Sequence, residues 1–168
     1  MKTQLLEAIE GKTAQVVVLG LGYVGLPVAG LFAEAGFPVV GIRRSQDKVD
    51  MINHGECPIE GEEPGLAELV QRVVATDRFR ATTDYASCRE AQVVLIAVET
   101  PVDKQTHQPG YEALRGALTD LAKNLSSGTM VIISGTTAIA VVITSSERAI
   151  SRLNLPTTTS FKAITSLS

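Results

Sequence analysis

At 168 residues, with 45% hydrophobic and 20% charged residues, the chain has the size and composition of one globular domain and can bury roughly 70% of its unfolded surface. A formal charge of −3 with scattered basic residues argues against a nucleic-acid partner or an acidic membrane surface. No stretch reaches the ~18 apolar residues needed to span a bilayer, and Met1–Gly11 holds Glu7 and Glu10 but no apolar run of signal-peptide length, so a cytoplasmic protein with no membrane contact is expected. Two cysteines, Cys57 and Cys88, are too few for a disulfide framework and lack metal-ligand spacing; both read as reduced thiols, and no metal is expected.

Along the chain, apolar runs alternate with helical patterns. Ala14–Leu19 (AQVVVL) is a short β-branched run that stops at a glycine, as a strand buried on both faces does. Val24, Val28, Leu31, Phe32 and Ala35 recur at helical spacing over Tyr23–Ala35, and Gly36 suits the residue just past the helix end. Pro38–Ile42 reads as a second strand, completing a βαβ unit. Ser45 is placed to cap a helix running through Asn53. Leu66, Leu69, Val70, Val73 and Val74 form a helical stripe ending near Thr76, Arg78–Thr82 is a short strand, and Asp84 can cap a short helix before Ala91. Gln92–Val98 is the clearest central strand. Tyr111, Leu114, Leu118, Leu121, Ala122 and Leu125 give one apolar helix face, closed by Gly128, and Met130–Ile133 is a further strand. A helix is expected around Ala138–Leu153. Regular strand–helix alternation predicts an α/β fold, a Rossmann-like doubly wound parallel sheet in a single domain. Residues 1–13 read as an N-terminal extension, 14–153 as the domain and 154–168 as an irregular Ser/Thr-rich tail.

The strongest chemical signal is Gly20-Leu21-Gly22-Tyr23-Val24-Gly25. Gly20 permits a tight turn off the strand, Gly22 lets the backbone approach a pyrophosphate, and Gly25 lets helix and strand pack closely. The free N–H groups and dipole of the following helix receive the phosphate charge. Glycines also serve ordinary turns, but the buried strand before this loop and the amphipathic helix after it are the context that marks dinucleotide binding. An acidic residue that binds the ribose hydroxyls of NAD is expected about 20 residues further on; Arg43, followed by Arg44, stands there instead. A guanidinium can hold a 2′-phosphate with paired charge-assisted hydrogen bonds, which leans the cofactor toward NADP over NAD. The other readings are that both arginines are solvated, or that one stacks on the adenine.

At Gly20–Pro27 (GLGYVGLP) the chain resembles the N-terminal domain of the UDP-glucose/GDP-mannose dehydrogenase family, the nucleotide-sugar 6-dehydrogenases. Lys48-Val49, Asn53–Ile59 (NHGECPI), Glu63-Pro64-Gly65-Leu66, Ala81–Tyr85 (ATTDY) and Ile96–Asp103 (IAVETPVD) agree in order and spacing, so the resemblance covers residues 14–133. It implies two NAD(P)-dependent oxidations at one carbon, taking a nucleotide-sugar alcohol to a carboxylate. By motif position it implies that Tyr23 and Val24 line the pyrophosphate and that Arg43 replaces the ribose-binding aspartate. Lys48 would lie near the adenosine end, with Thr100 and Pro101 beside the nicotinamide. Read from the residues alone, Lys48 is equally a solvated helix lysine and Thr100 equally a turn residue before proline.

After the fifth strand the chain reads Ser134–Ala140 (SGTTAIA), where only Thr136 matches the family's threonine near the reacting water. The family's glutamate, cysteine nucleophile and lysine are not matched, and neither Cys57 nor Cys88 sits in the corresponding motif. The chain is therefore expected to bind NAD or NADP, to engage a nucleotide sugar only if the substrate half is supplied, and to be inactive alone. Apolar surface left bare by that half would favour a homo-oligomer. The alternative reading is a non-catalytic dinucleotide-binding or regulatory module.

Overall fold

Strand β1 (Val16–Leu19) reads VVVL, and all four side chains are buried. Such a strand needs cover on both faces, and the rest of the molecule supplies it. The computed structural model describes residues 2–61, 63–100, 110–134 and 139–143. In chain order these form α1 (Lys2–Glu10), β1, α2 (Gly25–Glu34), β2 (Val39–Ile42), α3 (Gln46–Asn53), α4 (Leu66–Ala75), β3 (Phe79–Thr82), a 3₁₀ helix (Tyr85–Glu90), β4 (Val93–Ile96), α5 (Glu112–Ala122), β5 (Met130–Ser134) and β6 (Ile139–Ile143).

The strands make one sheet in the order β3-β2-β1-β4-β5-β6. The first five are parallel, in register from Val16 opposite both Val39 and Val93. The chain runs outward from β1 to β3, then crosses back to lay β4 on the other side of β1, so the direction of winding reverses between β1 and β4. Period-2 alternation sends Val16 and Val18 to one face and Val17 and Leu19 to the other. On the first face they join β2, β3 and β4 residues under α2, α3 and α4, with Leu26, Ile52 and Val70 fully buried. Leu5 of α1 belongs to the same core and Ile9 packs against it, so α1 contributes to the packing. On the second face the core is closed by α5 through Leu114, Leu118 and Leu121, and by Cys88 of the 3₁₀ helix.

Most expected elements lie where the periodicity puts them, and Gly36 takes φ +104° just past α2. Two details differ. Ser45 stands at the N-cap of α3 but makes no side-chain capping bond; Asp47 supplies the negative charge of that first turn instead. The helix expected around Ala138–Leu153 is not what its first part forms: Ile139–Ile143 is β6, antiparallel to β5, with Ser134 opposite Ile139 and Met130 opposite Ile143. The sheet is therefore not parallel throughout. The run IAVVI is rich in β-branched residues, which favour strands, and the four residues 135–138 are too few for the crossover that a parallel partner requires.

Candidate functional site

The reversal of winding leaves a crevice outside the carboxyl ends of β1 and β4, the place where open α/β sheets bind ligands. An open cleft of about 260 Å³ occupies it, lined by Gly20–Gly22 beyond β1, Ile42–Arg44 at the end of β2, Ala97–Glu99 beyond β4, Tyr85, and Ala113 and Ala117 of α5. Its floor is pinned by backbone hydrogen bonds that extend the ladder past the strands, Gly20 N–H to Ile42 O at 2.9 Å and Ala97 N–H to Leu19 O at 2.8 Å.

The glycines answer to steric demands that the structure makes explicit. Gly20 has φ +91°, and a Cβ there would approach the Ala97 carbonyl oxygen to 2.8 Å. At Gly25 a Cβ would lie 1.7 Å from the Gly20 carbonyl oxygen, so helix and loop can meet at this distance only through a glycine. With Gly25 in place, α2 starts directly at the rim of the cleft. At the helix start the Leu26 N–H bonds the Gly22 carbonyl and Pro27 carries no N–H, so the Gly25 N–H and the positive end of the helix dipole are what the helix offers a phosphate.

The residues expected at the site divide into three groups. Gly20, Gly22, Arg43 and Arg44 converge on the cleft. Arg43 is half-buried and its Nη1 donates to the Leu21 carbonyl, tying the end of β2 to the glycine loop. Arg44 turns the other way, toward α5: a Cβ on Gly116 would stand 3.0 Å from Arg44 Nη2, so a glycine inside the helix leaves room for the guanidinium. Gly25 packs beneath the loop, while Tyr23 and Val24, each 56% exposed, stand on the rim at the start of α2. The Tyr23 hydroxyl donates to the Glu60 carbonyl at 2.8 Å, which holds the ring toward that loop and away from the cleft. Lys48 on α3 and Thr100 in the loop after β4 are half-buried and do not line the cleft. Pro101 and Thr136 lie outside the described residues.

Tyr85, Glu99, Ala113 and Ala117 also line the cleft; Tyr85 and Glu99 fall inside the ATTDY and IAVETPVD segments, but neither is among the residues expected at the site. Burial pushes the Tyr85 phenol up, the nearby Asp120 carboxylate adds to the rise, and Arg44 opposes it. Strand ends offered a signal for Glu99, since ligands gather beyond them; Gly116 in a helix interior offered one for α5. Among the described residues no three His, Cys, Asp or Glu side chains form a group able to hold a metal ion. No described helix is long and apolar enough to cross a membrane.

The profile of the UDP-glucose/GDP-mannose dehydrogenase family, NAD binding domain, matches residues 14–162. The chain belongs to the UDP-glucose/GDP-mannose dehydrogenase family. Among its relatives in that family, the UDP-N-acetyl-D-mannosamine dehydrogenase of Campylobacter jejuni is 39% identical over 125 residues, 74% of this chain and 30% of that protein. The GDP-mannose 6-dehydrogenase of Pseudomonas syringae pv. tomato is 44% identical over 91 residues, 54% of this chain and 20% of that protein. Among solved structures, the NDP-N-acetyl-D-galactosaminuronic acid dehydrogenase of Methanosarcina mazei Go1 superposes with a TM-score of 0.71 at 36% identity, over 80% of this chain and 30% of that one. The chain thus spans 20–30% of the length of these dehydrogenases. What it carries is the family's dinucleotide-binding domain, and the cleft at the glycine loop lies within the matched residues.

Proposed function

We propose that the cleft binds NADP in preference to NAD, and that the protein of which this domain is the cofactor half oxidises the primary alcohol of a nucleotide sugar to a carboxylate. The observation that supports the first part is the pair of guanidiniums at the end of β2, Arg43 beside the glycine loop and Arg44 beside Tyr85 and Gly116. A carboxylate at this point would accept hydrogen bonds from a ribose diol and repel a 2′-phosphate; guanidiniums reverse that preference. Gly20, Gly22 and the start of α2 at Tyr23, Val24 and Gly25 would seat the pyrophosphate. Lys48 would lie toward the adenosine, and Thr100 and Pro101 would border the nicotinamide beyond β4. Thr136 is the one residue of this chain proposed near the reacting water. The bound dinucleotide supplies the hydride acceptor. The chain's own residues would hold it, the glycine loop at its pyrophosphate and Thr100 and Pro101 on its nicotinamide side.

Names of relatives support the second part, since they are dehydrogenases of UDP- and GDP-linked sugars. A thiolate nucleophile and a base for hydrolysis are needed for the second oxidation, and the 168 residues offer no matched pair. These residues alone are expected to bind cofactor without oxidising nucleotide sugar; a nucleotide sugar and a second copy of the chain are the partners that the whole protein would engage. Two unpaired cysteines, one of them buried, fit a reducing cytoplasm.

The test is a parallel titration with NADPH and NADH of the wild type and of Arg43→Asp. Loss of a charge-assisted phosphate contact should weaken NADPH by roughly 1–3 kcal/mol and leave NADH unchanged or tighter. An unaltered NADPH/NADH ratio would remove Arg43 from cofactor selection.

A further inference from the structure

The first turn of α2 contains no acidic residue, although its Gly25 N–H and its dipole favour a negative charge. A carboxylate approaches the glycine loop that precedes it from the other side of the winding reversal. Glu99 stands just beyond the end of β4, lines the same cleft as the glycine loop, and sets its Oε1 3.1 Å from where a Cβ on Gly22 would be. Gly22 is the glycine whose bare backbone lets a pyrophosphate approach. The Glu99 carboxylate therefore lies against the surface that a phosphate would use. The ion pairs among the described residues are Arg72–Glu34 and Lys123–Asp120, so no described cation neutralises Glu99 in this position.

We propose that Glu99 is an internal anion that takes the pyrophosphate's place in the cofactor-free cleft and sets the affinity for dinucleotide, because it must leave when the phosphates arrive. This rests on the glycine loop being the cofactor cradle. The space over Gly22 holds one anion at a time: the Glu99 side chain in the free protein, and the pyrophosphate in the complex. Glu99 is exposed at its position beyond β4, so it can swing toward solvent without disturbing the core. Its residual charge still opposes the pyrophosphate, and salt screens that opposition.

Glu99→Gln keeps the shape of the side chain and removes its charge. NADPH and NADH are titrated into wild type and variant at about 10 mM and about 1 M salt, where the screening length falls from ~30 Å to ~3 Å; inorganic pyrophosphate serves as a competitor that carries no nucleoside. At low salt the variant should bind both dinucleotides and pyrophosphate roughly fivefold more tightly, the size of an exposed charge–charge effect, and the gap should close at high salt. Without ligand, the variant should melt at the same temperature or slightly lower, since α2 loses a favourable charge. Equal or weaker binding by the variant at low salt overturns the proposal, as does a gain that persists undiminished at high salt or a raised melting temperature. If neither protein binds dinucleotide or pyrophosphate, the cradle reading falls and this proposal with it. That outcome is distinct from equal binding, which overturns the role of Glu99 alone.

Discussion

The two flanks of the sheet are built from the same kind of apolar strand but are closed to different degrees. On the β1–β3 side, every residue of β1 and β2 is buried, and α2, α3 and α4 cover the face they share. On the other side, β5 alternates: Val131 and Ile133 are sealed under α5, whereas Met130 and Ile132, facing the layer of α1–α4, are only half-buried. The cause lies in the element that comes after each strand. β1, β2 and β4 each lead into a helix that packs back on the sheet, while β5 leads into the antiparallel β6. The half of the crevice with the glycine loop and both arginines is therefore complete among the described residues.

The glycine loop offers the largest test of that completeness. Gly25→Val forces a side chain onto the Gly20 carbonyl, 1.7 Å from the new Cβ, with backbone on both sides and nothing flexible to yield. We expect a loss of about 3–5 kcal/mol in urea unfolding together with loss of dinucleotide binding. Gly61→Ala is the control. It has φ +116° but nothing within 4 Å of the new Cβ, so only backbone strain of about 1–2 kcal/mol opposes it. Equal losses at the two positions would mean that the loop relaxes away from α2, and the tight cradle would not exist.

The same contrast can be drawn across the strands. Leu19 is 0% exposed, and Leu19→Ala should cost about 3 kcal/mol, within the usual range for a sealed core leucine. Ile132→Ala, on the partly exposed face of β5, should cost less, about 2 kcal/mol, because part of its side chain stays in contact with solvent. Similar shifts in the denaturant midpoint for the two variants would show that the β5 face is covered after all.

How much of the fold and site could be read from the sequence depends on the range of each signal. The β1–α2–β2 unit was legible because a β-branched run, a glycine turn and a 3.6-residue stripe succeed one another within one stretch of chain. The cleft's position followed from the glycine loop for the same reason. β6 was not legible: Ile139–Ile143 is too short for its period to distinguish strand from helix, and its pairing depends on the shortness of the link to β5. The opposite directions taken by Arg43 and Arg44 depend on Leu21 and Gly116, which lie far from them in the chain. For Glu99 the sequence offered only its place beyond a strand end; its role depends on the end of β4 meeting the glycine loop, a juxtaposition that the fold creates. Lys48 shows the reverse case, a residue carried over by motif position that the fold leaves outside the cleft.

The last test concerns the core under α5, on the sealed side of β5. Cys88 is 0% exposed there, and burial pushes its thiol from 9.0 up to about 12, with Asp84 adding to the rise. In the unfolded chain the thiol ionises near pH 9, whereas in the folded chain it holds its proton to higher pH. Between those values the native state binds more protons than the unfolded state, so stability falls as pH rises, by up to about 1.4 kcal/mol per pH unit for one such group. Below pH 9 both states are protonated and the contribution is fully present. Tyr85, also shifted upward, adds in the same direction at the upper end of the window. Urea midpoints measured at about pH 8 and about pH 10.5 should decline in the wild type. The decline should be shallower in Cys88→Ala, which lacks the thiol but keeps a small apolar group in the core. Alkylation by iodoacetamide at neutral pH should reach Cys57, which is half-buried, and leave Cys88 unmodified until the chain unfolds. Rapid modification of Cys88 in the folded protein would mean that the α5 side opens as readily as the bare face of β5, and the difference between the two cores would disappear.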